Sequence, residues 1–227
     1  MSILKKTDLL DKVFYISFFM FFILYVGTLK IRPYPLQYLT KILPLLVLII
    51  IAYRGLHGNK RNLILLGLFI SLIGDILLDL HGKNLFLLGI ISFGIAHFMY
   101  ILALYRNPTI RNKRIWLLPF LLAYGVGLWN ILAPELGEML IPATIYLILI
   151  TSMGISAILG KNNHFLIIIG AIFFIFSDSV IAINVFLTKI SNSSYFIMLS
   201  YYPAQFLITY GTILSKNIVK DTHRPNN

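Results

Sequence analysis

The chain contains no cysteine. That absence excludes disulfides, thiol catalysis, iron–sulfur clusters and cysteine-based zinc sites together, and it leaves the compartment open. Charge is also scarce. Only 12% of the 227 residues are Asp, Glu, Lys or Arg, about half the ~25% usual in soluble domains. With 59% hydrophobic residues, too little polar side chain remains to cover a water-facing surface. A soluble globular enzyme, a disordered chain and a collagen-like or coiled-coil rod are excluded. Acidic residues are the scarcest, eight against nineteen basic, for a formal charge of +11. In a soluble protein that excess would suggest nucleic acid. In so apolar a chain, with a mean hydropathy of +0.87, basic residues gather instead at the cytoplasmic ends of membrane spans.

What is present is a series of apolar runs. A membrane-crossing helix needs about 20 mostly apolar residues. Eight runs qualify: Val13 to Leu29, Leu36 to Tyr53, Leu63 to Leu80, Leu85 to Leu104, Ile115 to Leu132, Met139 to Leu159, Phe165 to Leu187 and Tyr195 to Leu214. They are continuous rather than alternating, which predicts helices and not barrel strands. No connector is long enough for a soluble domain, so residues 1–227 read as a single membrane domain. The first run follows Lys5, Lys6 and Lys12 in the manner of a signal peptide, but it is long and lacks a small-x-small cleavage pattern. It reads as a retained span.

Fourteen basic residues fall on one side of this arrangement. They include Arg54, Lys60 and Arg61 after the second run and Arg106, Arg111, Lys113 and Arg114 after the fourth. Five fall on the other: Lys30, Arg32, Lys41, Lys83 and Lys189. The bias places both termini in the cytoplasm; in a bacterium the membrane is then the inner one. The run from Gly67 to Asp75 also matches the run from Gly170 to Asp178 at an offset of 103 residues. The same offset carries the first three helices onto the fifth, sixth and seventh. The pattern predicts a parallel 4+4 repeat, with units at about 13–104 and 115–214, related by an axis along the membrane normal. Helices 3 and 7 would then face one central pocket.

Asp8, Asp11, Glu135, Glu138 and Asp221 lie in tails or loops, whereas Asp75, Asp79 and Asp178 lie in apolar spans. A carboxylate at the centre of a membrane helix costs about 2.5–3.5 kcal/mol on insertion scales, and such residues usually face the bundle interior and serve function. The plainer alternative is a helix–helix hydrogen bond. For Asp79, one turn nearer the helix end, the expectation is contact with interfacial water beside His81. Two carboxyls in one apolar pocket do not both ionise easily, so one keeps its proton and the other is the anion. Such a pair supplies a general acid and a general base without metal or cofactor.

Ser71 and Asp75 share a helix face at i,i+4, as do Tyr201 and Gln205. Asn184, six residues after Asp178, approaches any common pocket from another angle. His97 is as consistent with a buried neutral histidine as with a site. Lys41 either binds a lipid phosphate or snorkels to the interface. Tyr100, Tyr146 and Tyr202 fit packing or interfacial belts better than catalysis.

The stretch from Ser71 to Leu78 around Gly74-Asp75, then Phe93 with Ala96-His97 and Tyr100, then Ser177-Asp178-Ser179 with Asn184, and finally Tyr201 with Ala204-Gln205, resemble the YhhN family in type and order. The resemblance covers helices 3 to 8 well and helices 1 and 2 loosely. The family opens its second helix on a Lys-Pro pair; here the residues are Lys41 and Pro44. The resemblance implies a multi-pass lysoplasmalogenase that cleaves the vinyl ether of a lysoplasmalogen to a fatty aldehyde and glycerophospho-ethanolamine or -choline. It implies Asp75 and Asp178 as the catalytic pair. Ser71, His97, Ser177, Asn184, Tyr201, Tyr202, Gln205 and Lys41 become the substrate-binding or supporting set. The partners it implies are the lysophospholipid substrate and membrane lipids. Nucleic acid, a metal, a cofactor and an obligate protein partner are not called for.

Two competing readings come from the residues alone. Asp75 and Asp79 form a D-x3-D pair that could hold Mg²⁺ against a prenyl diphosphate, although the second half has Ala182 where a matching Asp would stand. Intramembrane Asp residues in a parallel repeat also suit a proton-coupled transporter. Magnesium dependence would mark the first, and flux without chemical change the second.

Overall fold

The apolar runs form helices because only a helix satisfies every backbone N–H and C=O from within a single lipid-exposed segment. In the computed structural model the described residues are 2–80, 82–105, 108–110 and 113–221, with side chains described from 9 to 215. His81, Arg106 and Arg111, used above in reading Asp79 and the charge bias, lie outside the described residues, as does Arg224, another of the fourteen basic residues.

Eight α-helices are present among the described residues: α1 (Ser2–Thr28), α2 (Gln37–Gly55), α3 (Gly58–Asp79), α4 (Lys83–Leu104), α5 (Leu117–Leu132), α6 (Leu140–Leu159), α7 (Phe165–Ala182) and α8 (Ser193–Asp221). The described residues contain no strand, only one isolated bridge between Pro108 and Gly160. The expected boundaries shift at the ends. α3 begins at Gly58 rather than Leu63, because Asn59, Lys60 and Arg61 enter its first turns. α7 ends at Ala182, and Ile183–Leu187 continue as a π-turn.

Seven helices among the described residues are long and apolar enough to cross a membrane. The chain is a multi-pass membrane protein. α8 is 29 residues long but more polar, and its polar groups turn inward: Ser200, Gln205, Thr209, Thr212 and Ser215 are buried. The outer surface is the reverse of a soluble protein's. Ile23 is 68% exposed and Phe120 75% exposed, while Asp75, His97 and Gln205 are inside. Such a surface is stable against hydrocarbon and not against water.

Small residues set the tightest contacts, as in membrane bundles generally. A Cβ at Gly170 would stand 2.9 Å from the Ala204 carbonyl oxygen and 2.9 Å from the Ile208 nitrogen, so α7 and α8 meet backbone to backbone there. Gly67 admits the Tyr100 ring and Gly74 the Phe93 ring, which closes α3 onto α4. α4 also packs on α6, and α8 on α2 and α1. This arrangement brings the polar residues near the ends of α3 and α7 to one cavity.

Candidate active site

A cavity of about 280 Å³ opens within the bundle. Its walls include Arg32, Lys41, Asp75, Asp79, Ser177, Asp178 and Tyr201. Both intramembrane aspartates singled out above therefore line one space, from α3 and α7. Three edge-to-face rings pack beside them: Phe93 with Phe174 (centroids 6.3 Å apart), Phe93 with Tyr201 (5.8 Å) and Phe174 with Tyr201 (5.5 Å). They give the carboxyls an apolar neighbour on one side.

Asp75 is only 2% exposed. The Lys41 ammonium, itself 4% exposed, lies 3.2 Å from Asp75 Oδ1 and donates to the Asp75 carbonyl oxygen at 3.1 Å. The Tyr201 hydroxyl donates to Asp75 Oδ2 at 2.7 Å. Behind it, Gln205 donates to the Tyr201 oxygen at 3.4 Å, and the Tyr100 hydroxyl donates to Gln205 Oε1 at 2.6 Å. The Tyr202 hydroxyl holds the Lys41 carbonyl at 2.8 Å. A buried charge without such partners would be strongly destabilising.

Asp79 does not reach interfacial water as expected. It is buried, bonded to the Arg32 guanidinium and 3.8 Å from Lys41 Nζ. The reason is the turn after α1, which brings Arg32 over the end of α3. Arg32 is fixed there by Tyr25 Oη at 3.0 Å and Gln37 Oε1 at 3.1 Å. Lys41 likewise neither snorkels nor faces lipid. It points inward because two carboxylates one helical turn apart solvate it better than the interface does. Asp75, Asp79, Lys41 and Arg32 form one formally neutral cluster.

Asp178 is held differently. The Tyr146 hydroxyl donates to its Oδ2, and His97 Nε2 lies 3.4 Å from the same oxygen and 3.0 Å from Tyr146 Oη. His97 is fully buried with its ring edge-on to Phe174, 4.6 Å between centroids. Its polar contacts are with Tyr146 and Asp178.

The remaining expected residues divide. Ser177 lines the cavity, with its hydroxyl donating to the Ile197 carbonyl at 3.3 Å. Ser71 is buried away from the lining. Asn184 does not reach the cavity: its Oδ1 accepts from the Ile190 N–H at 2.9 Å and ties the π-turn to the next loop. The helix widens into that π-turn, and Val185 rather than Asn184 lines the cavity. Arg32, Tyr25, Phe93 and Tyr146 were not anticipated as site residues. Arg32 looked like a loop charge and Tyr146 like a packing ring. The one available signal is that Arg32, Tyr25 and Tyr146 are hydrogen-bonding groups in or beside long apolar runs; Phe93 offers none. Among the described residues no group of three or more His, Cys, Asp or Glu is placed to hold a metal.

Known proteins resemble this chain over most of its length. The profile of the YhhN family matches residues 36–212. Lysoplasmalogenase TMEM86A of Bos taurus is 31% identical over 168 residues, covering 70% of this chain and 68% of that protein. Lysoplasmalogenase TMEM86B of Rattus norvegicus is 28% identical over 207 residues, covering 90% and 84%. A lysoplasmalogenase of Mycobacterium tuberculosis is 28% identical over 174 residues, covering 74% and 67%. No solved structure matches. The matched span takes in α2 to α7 and most of α8, and with them every residue of the cavity just described except Arg32; the chain belongs to the YhhN family.

Proposed function

We propose that this protein is a lysoplasmalogenase, a membrane hydrolase that cleaves the vinyl ether of a lysoplasmalogen within the bilayer. The observation that carries the reading is the single cavity, inside an apolar bundle, lined by both Asp75 and Asp178. The names of the relatives point the same way. The products are a fatty aldehyde and glycerophospho-ethanolamine or -choline.

The bond dictates the chemistry. A vinyl ether is activated by protonation on its outer alkene carbon, which leaves an oxocarbenium ion on the inner carbon and oxygen. Water adds to give a hemiacetal, which collapses to aldehyde and alcohol. The protein must supply a positioned acid, a carboxylate near the developing cation and a base for water. Paired carboxyls meet the same need in glycosidases. Asp75 and Asp178 are the catalytic pair. Lys41, Tyr201, His97 and Tyr146 position them, with Gln205, Tyr100 and Tyr202 behind. The reaction as written needs no metal or cofactor. The Asp75–Asp79 pair is already matched by Lys41 and Arg32, an arrangement that weighs against a magnesium-diphosphate site.

The topology that goes with this reading is eight crossings in one domain, both termini cytoplasmic, and a parallel repeat of 13–104 and 115–214. In a bacterium the membrane is the inner one. In support, α3 packs with α4 as α7 does with α8, and α4 meets α6 as α8 meets α2. Reporters fused before α1 and after α8 should report the same side; opposite sides would mean an odd number of crossings.

The function is tested by incubating purified protein with a lysoplasmenyl-ethanolamine and with its ester analogue. Aldehyde from the vinyl ether alone is the expected result. No aldehyde, or equal hydrolysis of the ester, overturns the reading.

A further inference from the structure

Two cavities meet at Asp178. One is the polar chamber holding Arg32, Lys41, Asp75 and Asp79. The other is a channel of about 90 Å³ between α4, α5, α6 and α7, walled by Phe86, Leu128, Trp129, Leu132, Ala143 and Phe186. Leu78, Phe86, Phe93, Asp178 and Ile181 line both. The shared wall thus carries one carboxyl, that of Asp178. Asp75 lines the polar chamber alone.

This division matches the division of charge within a lysolipid. The phosphorylated glycerol end needs cations and hydrogen bonds, and the single hydrocarbon chain needs an apolar sleeve. The vinyl ether is the joint between the two. Along the substrate the order is glycerol oxygen, inner alkene carbon, outer alkene carbon, chain. The outer carbon therefore sits nearer the channel and the inner carbon nearer the polar chamber.

Building on the vinyl-ether reading above, we propose that the hydrocarbon chain occupies this channel, so that Asp178 protonates the outer carbon and Asp75 takes the proton of the attacking water. Asp178 enters the cycle protonated. The alkene π pair forms the new C–H bond with that proton, and positive charge develops on the inner carbon and ether oxygen, beside the Asp178 carboxylate just formed. Water bonds to the inner carbon and gives its proton to Asp75, whose two oxygens are oriented by Lys41 at 3.2 Å and Tyr201 at 2.7 Å. In the collapse of the hemiacetal, the C–O bond to glycerol breaks and the Asp75 proton goes to the departing oxygen. The hemiacetal hydroxyl proton goes to Asp178. Both carboxyls return to their starting states, and the net change is one water consumed for one aldehyde and one alcohol.

The assignment separates the two aspartates in deuterated water. In Asp75→Asn, protonation of carbon remains possible while water addition is impaired. The oxocarbenium ion turns about its new C–C single bond and returns the original protium, not the deuteron, to Asp178, and recovered uncleaved substrate gains deuterium at the outer carbon. Asp178→Asn should show neither cleavage nor exchange. Exchange in Asp178→Asn, or in neither variant, overturns the assignment. The channel is tested by turnover and, independently, by binding. Ala143→Phe fills it, and should lower kcat/KM for a long-chain vinyl ether at least about tenfold more than for a short-chain one. Ala182→Phe, on another wall, should act likewise, which guards against one variant failing to fold. Equal losses on both chain lengths overturn the channel. In a Trp116→Phe background Trp129 is the one remaining tryptophan. A saturated alkyl-ether lysophospholipid brominated mid-chain should quench it saturably, in competition with the unbrominated lipid. Ala143→Phe should weaken that binding at least about tenfold. Unchanged quenching in Ala143→Phe removes the channel. A wild-type protein that binds this lipid and releases no aldehyde from the vinyl ether keeps the channel and removes the vinyl-ether reading instead.

Discussion

Asp75 and Asp178 stand at matching positions of α3 and α7, 103 residues apart, and are supported by different chemistry. Asp75 takes a lysine from α2 and a tyrosine from α8. Asp178 takes a tyrosine from α6 and a histidine from α4. At the 103-residue offset α2 corresponds to α6 and α4 to α8, so the supporting helices correspond while the side chains do not. One carboxyl sits in a cluster with two cations, and the other, among the described residues, meets a phenol and an imidazole. A reaction that must first give a proton and then accept one needs two unlike carboxyls, and identical surroundings would not tell them apart.

The largest expected effect tests whether the two act as one unit. Asp75→Asn and Asp178→Asn should each reduce aldehyde release by at least about 10²–10⁴-fold, and the double variant should lose little more, since members of one catalytic unit are non-additive. Activity retained in either single variant would leave that carboxyl a purely structural role.

Breaking the charged half comes next. Lys41→Met leaves the buried Asp75 carboxyl without its cation, while Asp79 keeps Arg32, and should lower stability by about 3–5 kcal/mol, read as a fall in Tm in detergent. Adding Asp75→Asn should recover part of the Tm without recovering activity. No recovery would mean that Lys41 acts through packing rather than charge.

On the neutral half, Tyr146→Phe removes one hydrogen bond to Asp178 and leaves the ring. As Asp178 gives up its proton that bond becomes one to a charged group, worth about 1.5–3 kcal/mol, so kcat should fall roughly 10–100-fold with Tm little changed. An unaltered kcat would sever Tyr146 from the chemistry.

The smallest effect is expected outside the cavity. Asn184→Ala loses the acceptor for the Ile190 N–H, costing about 1 kcal/mol of stability, with kcat/KM preserved. A large loss of turnover would return Asn184 to the site from which its side-chain geometry removes it.

The helices and the two central aspartates were legible in the sequence because both follow from the bilayer as solvent. A continuous apolar run of span length has few other uses, and an Asp within one is too costly to keep without a role. The same reasoning misplaced Asp79 and Lys41, which stand near run ends where an interfacial position is always available. It passed over Tyr146 because an aromatic ring is at home in a core, in a belt or in a site, so its presence in an apolar run carries little information.

The sequence by itself determined that this chain is a helical membrane protein with carboxyls within two of its spans. Only the tertiary structure decided which groups meet those carboxyls. Lys41 is 34 residues from Asp75, Tyr201 is 126 from Asp75, Tyr146 is 32 from Asp178 and Arg32 is 47 from Asp79. Hydropathy and period act within one helix, whereas a hydrogen bond or ion pair depends on which helix faces lie together. That is set by where Gly67, Gly74 and Gly170 let neighbouring helices close. Partner choice is a property of packing, and no local pattern in the chain encodes it.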